Sequence, residues 1–188
     1  MIIPIVAYGT KVLKQKAEDI SSDYPNLEQL IEDMFETMYE ASGVGLAAPQ
    51  IGRSIRLFIV DGSPFADEDA DMEGFRKVFI NPQIVEESGE EWNFNEGCLS
   101  IPSIREDVSR LSKVRIRYQD QDFNTIEEEY DGTKARIIQH EYDHIEGVLF
   151  TDYLSAIKKR LLKRKLNDIS KGNVKVDYRM KFPLKKGR

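Results

Sequence analysis

Cysteine occurs once in this sequence, at Cys98, and histidine only twice, at His140 and His144. A single cysteine excludes an internal disulfide and suits a reducing compartment. No apolar run approaches the roughly 20 residues of a membrane-spanning helix, so no membrane association is expected. No glycine-rich stretch is followed by Lys-Ser or Lys-Thr, which excludes a phosphate-binding P-loop. The segment Met1–Tyr8 is apolar, but it has neither a basic flank nor a small-residue cleavage site. It does not read as a signal peptide, and the expected location is cytoplasmic. Neither an internal repeat nor a low-complexity segment interrupts the 188 residues. That length suits one domain, 1–188, with a proper core.

Charge is unevenly spread. From Thr151 onward there are 13 Lys and Arg against 3 Asp, a balance of +10, whereas the first 150 residues carry −16. A basic helix and tail, 151–188, on an acidic body point to a polyanionic partner for that segment alone.

Both histidines fall in Gln139-His140-Glu141-Tyr142-Asp143-His144. Two His at i and i+4 share a helix face, so both imidazoles can reach one metal ion, and Glu141 is placed to act as a general base on water activated there. Such a site takes a third protein ligand and keeps one position open. No third His exists. Phe150 occupies the last position of the metzincin pattern, and no Glu follows Glu146. The downstream carboxylates Asp152 and Asp168 remain, and so does Cys98 upstream, in Glu96-Gly97-Cys98-Leu99-Ser100.

Around this motif the patterning predicts an α+β fold, with antiparallel sheets packed around a central metal-binding helix. Leu27, Leu30, Ile31, Met34, Phe35, Met38 and Tyr39 form one stripe of an N-terminal amphipathic helix over Pro25–Ala41. The small-residue run Gly43–Gly52 reads as a loop that lets another backbone come close. Ser54–Asp61 reads as a strand covered on both faces, with Leu57 and Ile59 on one and Phe58 and Val60 on the other. The acidic stretch Gly62–Gly74 reads as a solvated, mobile loop. A second strand, Lys77–Glu87, is interrupted at Asn81-Pro82, as at an edge or bulge. Val108–Gln119 and Thr125–Tyr130 form a hairpin pair. The metal helix spans Thr133–Gly147. A C-terminal helix covers Leu154–Ile169, with Leu154, Ile157, Leu161, Leu162 and Leu166 beneath a basic face. The tail from Lys171 has weak strand character and is expected to fray, away from the metal site.

Three segments taken in order, Gly43-Val44-Gly45-Leu46-Ala47-Ala48-Pro49-Gln50, Glu96-Gly97-Cys98-Leu99-Ser100 and His140-Glu141-Tyr142-Asp143-His144, closely resemble the signature motifs of peptide deformylases. The resemblance implies a metal-dependent hydrolase that removes the N-formyl group from the N-terminal methionine of nascent chains and releases formate. It assigns metal binding to Cys98, His140 and His144 and general acid–base work to Glu141. It sets the Gln50 amide and the Leu99 N–H against the developing oxyanion. It implies that Val44, Gly45 and Gly97 pair with substrate as an added strand, and that Ile137 helps line the methionine pocket. The ion it implies is Fe2+, with Zn2+, Ni2+ or Co2+ able to substitute. It gives modest support for docking of the basic C-terminal segment on the ribosome. Arg136 stands where better-known members are often apolar. Two other readings are a zinc endopeptidase of aspzincin type, with Asp152 or Asp168 as third ligand, and a non-catalytic ribosome-binding module.

Overall fold

Alternation along one short strand organises the molecule. In the computed structural model, which describes residues 1–184, β3 (Leu57–Asp61) is buried along its whole length. Leu57 and Ile59 face a cluster containing Leu30, Ile31, Met34, Phe35 and Met38 of α1 (Leu27–Glu40). Phe58 and Val60 face the opposite way, toward Ala135, Ile138 and Ile145 of α2 (Gly132–Ile145). A strand with a helix on either side buries both sets of its alternating side chains, so its sequence is continuously apolar. Tyr39, the last member of the predicted α1 stripe, is instead half exposed and donates its hydroxyl to Asp61 at 2.6 Å.

The sheet around β3 is antiparallel and five-stranded, in the order β2-β3-β4-β5-β6. β2 (Gly45–Ala47) comes from the run expected to be a loop, and it leads into a 3-10 turn over Ala48–Ile51. β4 (Arg76–Cys98) and β5 (Ile101–Gln119) are much longer than the pattern predicts, because Lys77–Glu87 and the approach to Cys98 are one strand. A straight strand of 23 residues would extend about 75 Å, whereas a chain this size has a radius of gyration of about 16 Å. The hairpin therefore has to bend. It does so at register shifts between Ile80 and Gln83, Ile84 and Glu86, and Ser88 and Glu91, where extra residues re-aim the strands. The Asn81-Pro82 break is thus a bulge within an interior strand; Asn81 has φ 48° and its side chain bonds both the Ile20 backbone and Gln119. β6 (Thr125–Asp131) completes the sheet and runs directly into α2.

Because the hairpin is bent, its far arm folds over the side of α2 opposite β3. The expected arrangement of antiparallel sheet around the metal helix is therefore present. The stretch 62–74 is anchored, not solvated along its whole length: it forms 3-10 turns over Ser63–Phe65 and Ala70–Met72, and Met72 is fully buried.

The two ends of the described chain meet. β1 (Ile5–Val6) pairs in parallel with β7 (Met180–Lys181), a two-stranded sheet that the antiparallel expectation did not include. α3 (Ala156–Ser170) follows the expected C-terminal helix, with Leu162, Leu166 and Ile169 buried against Val6, Leu13 and Ile104. Ile157 and Leu161, expected on that buried side, are 75% and 74% exposed. They lie one helical turn apart and are rotated off the stripe that docks, so the helix has a second, uncovered apolar strip. The last basic residues of the tail, Lys185, Lys186 and Arg188, lie outside the described residues. Among the described residues no helix is long and apolar enough to cross a membrane.

This packing makes Leu162 and Leu161 unequal. In urea denaturation, Leu162→Ala is expected to cost about 2–4 kcal/mol, whereas Leu161→Ala should stay within about 0.5 kcal/mol. Equal costs would place both residues in the core.

Candidate active site

Helical spacing on α2 sets the site. His140 and His144 lie one turn apart with ring centroids 5.1 Å from each other. Cys98 ends β4 immediately before the turn Leu99-Ser100 that starts β5, so the bent hairpin delivers its thiol to the same place. The Cys98 sulfur is 3.3 Å from His144 Nε2. One ligand atom from each of Cys98, His140 and His144 lies within 4.8 Å of the others, the set of three that could hold a metal ion among the described residues. Bonds of about 2.0–2.3 Å to nitrogen and sulfur fit an ion between them. Neither competing carboxylate, Asp152 nor Asp168, belongs to this group, and Asp152 is engaged elsewhere: its carboxylate accepts from Lys14 at 2.5 Å and from the Leu149 N–H at 2.8 Å.

His140 is oriented from behind. Its Nδ1 is 2.9 Å from Glu96 Oε2, which leaves Nε2 to face the thiol, an arrangement typical of metal-ligating histidines. Glu96 also binds Arg110 in a two-pronged contact at 2.8 and 3.0 Å and accepts from Arg136 Nη1 at 2.9 Å. Arg110 continues to Asp143 at 2.7 Å. Glu96, Arg110 and Arg136 are all buried. Burial by itself would raise the Glu96 carboxyl, but hydrogen bonds from His140 and Arg110 hold it well below the usual carboxylate range. Burial likewise works against a charged His140, and its contacts with Cys98 and Glu96 outweigh it, keeping this ring well above its ordinary value. His144, whose buried Nδ1 has no hydrogen-bond partner, is pushed well below its ordinary value, first by burial and then by the charge of His140.

Arg136 is a second cation of this network. Its guanidinium stacks 4.7 Å from the Trp92 ring and donates to the Val108 and Trp92 carbonyls as well as to Glu96. Arg136, Gln139, His140 and Asp143 thus form a buried polar stripe on α2 at i, i+3, i+4 and i+7, facing the far arm of the hairpin. Spacing alone could reveal the stripe; its burial could not be read from polar residue types.

Glu141 is buried, and its Oε2 has no hydrogen-bond partner in the protein. Burial pushes its carboxyl up to about 7, against the pull of His140. The room it occupies depends on a glycine: a Cβ at Gly45 would come within 2.7 Å of Glu141 Cδ. Gln50, in the turn after β2, is fixed by the end of that strand. Its Oε1 accepts from the Ala47 N–H at 2.8 Å, which turns Nε2 toward Cys98 at 3.5 Å and Ser100 Oγ at 3.4 Å. The side-chain amide therefore presents N–H to the space beside the thiol.

A cleft of about 610 Å³ opens over this group and is lined by Val44, Gly45, Gly97, Leu99 and Ile137 among others. Each residue suggested by resemblance for substrate contact therefore borders one cavity. Lys175, Val176, Asp177 and Tyr178 line it too. The tail thus folds back along the cleft, contrary to the expectation that it frays away from the metal site. Residues 174–180 alternate between half-buried and exposed, a weak two-residue period in the sequence that gave no hint of what the segment covers.

Two imidazoles, a thiol and an unpartnered buried carboxylate beside a cleft define a metallohydrolase site. The family model described as "Polypeptide deformylase" matches residues 2–160, and so stops short of the returning tail. The chain is 58% identical to a peptide deformylase of Christiangramia forsetii and 56% identical to one of Flavobacterium johnsoniae, each over the full length of both chains. It superposes on the crystal structure of a peptide deformylase from Legionella pneumophila with a TM-score of 0.80 at 38% identity, covering 92% of this chain and 98% of that one. The Thermotoga maritima enzyme gives 0.74, also at 38% identity, over 82% and 99%. The chain belongs to the polypeptide deformylase family.

The Glu96 network makes a double prediction. Glu96→Gln leaves two buried guanidinium groups without their shared counter-charge, at a cost of about 3–5 kcal/mol. It should also weaken metal binding about 10- to 100-fold, because His140 loses its orienting partner. Denaturation of the apoprotein and metal titration of the folded protein measure the two separately.

Proposed function

We propose that this chain removes the N-formyl group from the N-terminal methionine of newly made proteins and releases formate, using one divalent ion held by Cys98, His140 and His144. The observation that carries this reading is the convergence of those three ligands with the unpartnered Glu141 at the floor of a cleft bordered by an edge strand. A divalent ion bound there supplies Lewis acidity, lowering the pKa of water toward about 7 and polarising a carbonyl oxygen.

The protein supplies the rest. Glu141 takes a proton from the attacking water and returns it to the leaving amine; a carboxyl near neutrality serves both steps. Gln50 Nε2 and the Leu99 N–H meet charge that develops on the formyl oxygen only in the transition state, where one such donor is worth about 3–4 kcal/mol. β2 is the terminal strand of its sheet, so backbone at Val44 and Gly45, with Gly97 opposite, can pair with the peptide as an added strand. Ile137, buried beside Val44 in the cleft wall, lines the pocket for the methionine side chain. The proposed physiological ion is Fe2+, with Zn2+, Ni2+ or Co2+ able to substitute; thiolate and imidazole together suit ions of this group. The proposed location is cytoplasmic.

Two variants separate the ligands from the base. Cys98→Ala should lose stoichiometric metal. Glu141→Gln should keep the metal and lose at least about 100-fold in formate release from a formyl-Met dipeptide. Metal analysis together with that assay decides both, and tight one-to-one binding by Cys98→Ala would refute the ligand set.

We also propose that α3 docks on ribosomal RNA near emerging chains. Lys159, Arg160, Lys163, Arg164 and Lys165 are all exposed on this helix, around the uncovered Ile157 and Leu161. Each phosphate contact should contribute about 0.7–0.9 to the slope of log K against log salt. Neutralising those five charges, with the tail left intact because it borders the cleft, should reduce that slope and leave dipeptide turnover unchanged. Cosedimentation with ribosomes across a salt series measures it; an unaltered slope would exclude docking through this face.

A further inference from the structure

The turn Leu99-Ser100 carries two of the groups on which catalysis rests, since Cys98 precedes it and the Leu99 N–H lies within it. Two of its bonds come from outside the hairpin. The Ser100 carbonyl accepts from the Tyr8 N–H at 2.8 Å, and the Leu99 carbonyl accepts from the Tyr178 hydroxyl at 2.7 Å. Tyr8 follows β1, and Tyr178 precedes β7. The two strands are held together in parallel register, Ile5 opposite Met180 and Val6 opposite Lys181, with the Ile5 N–H bonded to Arg179 O and the Ala7 N–H to Lys181 O, both at 2.9 Å. β1 and β7 thus form one clamp, and its two prongs hold successive carbonyls of the catalytic turn.

We propose that Tyr178 is a positioning residue for deformylation, acting through Leu99. A turn of two residues with an unbonded carbonyl can rotate its peptide planes, and a donor aimed at an oxyanion is useful only if it is already in place. The Tyr178 bond fixes the 99–100 peptide, which adjoins the 98–99 peptide carrying the Leu99 N–H, and the Tyr8 bond fixes the 100–101 peptide after it. The alternation of the strap explains how Tyr178 reaches inward: Val174, Val176, Tyr178 and Met180 are half-buried, while Lys175, Asp177 and Arg179 are exposed. Its ring packs against the α1 cluster, as does Leu99. The strap therefore forms a wall of the cleft and also stiffens the cleft's floor. This inference rests on the oxyanion role given above to the Leu99 N–H.

The test is Y178F in the full-length, metal-loaded enzyme, which keeps the ring and removes one hydrogen bond. With a formyl-Met dipeptide, kcat per bound metal should fall about five- to tenfold with KM within about twofold. Metal content and the visible spectrum of the Co2+ form should match the parent. A kcat per metal within twofold of the parent would overturn the proposal, and so would a loss of activity that merely follows loss of metal. A second enzyme, with Leu99 replaced by its α-hydroxy analogue so that an ester stands in place of the 98–99 amide, separates this inference from the reading beneath it. If that ester enzyme is impaired and Y178F adds less than about twofold to it, Tyr178 acts through the Leu99 N–H. If it is impaired and Y178F still adds its full factor, the positioning role is wrong while the oxyanion role stands. An ester enzyme of full activity would remove the oxyanion role, and the positioning role with it.

Discussion

One buried carboxylate ties the catalytic helix to the strand that supplies the third ligand. Glu96 sits two residues before Cys98, and its oxygens are divided among Arg110 of β5 and Arg136 and His140 of α2. Removing four such groups from water costs several kcal/mol per ion, so the cluster is poor evidence of net stability. Its value is geometric. Its partners approach from two elements, β5 and α2, so the carboxylate pins the strand pair to the helix. With Asp143 binding Arg110, two anions face two guanidinium groups, and the cluster is neutral without the histidine. A neutral cluster whose charges are paired can stay buried beside a metal site without drawing water to it.

The strand arrangement follows from the same need. A helix can place two ligands at i and i+4, but a third must come from elsewhere at a distance of a few ångströms. The β4–β5 hairpin reaches that point by overshooting the sheet and bending back across α2. Its bulges convert one long ladder into two arms, one packed on the apolar side of α2 through Phe79, Val114 and Ile116, the other on its polar stripe through Trp92, Glu96 and Val108. A bulge costs local pairing, which is offset here because it allows a single hairpin to enclose a helix.

Close approach at the cleft depends on small residues. Gly45 leaves room for Glu141, and a Cβ at Gly43 would sit 2.8 Å from Leu99 Cδ1. The run 43–50 therefore has two proposed functions. Its backbone would offer an edge for a peptide, and its two glycines let Glu141 and the turn stand directly behind that edge. Gln50, at its end, is oriented by the N–H of Ala47 in the same run, so the segment also orients the amide proposed as an oxyanion donor.

Sequence periodicity was sufficient for whatever depends on neighbours along the chain. The His140–His144 pair, Glu141 between them, the α1 stripe from Leu30 to Met38 and the two-faced β3 were all legible, because a helix turn or a strand pleat converts spacing directly into direction. The three motifs in order carried the resemblance and with it Cys98, whose partners lie more than forty positions away. Tertiary structure alone decided what joins distant positions: Glu96 to His140 across 44 residues, Arg110 to Asp143 across 33, and Tyr178 to Leu99 across 79. A charged residue gives no local sign that it will be buried; its desolvation is compensated only by partners the fold brings to it. Leu161 and Leu162 show the same limit for apolar residues: both fit an amphipathic helix by composition, and the surface that α3 meets determines which one is covered. The tail is the extreme case. Its alternation is too weak to announce a strand, and its place over the cleft follows from a parallel pairing with residues at the opposite end of the chain.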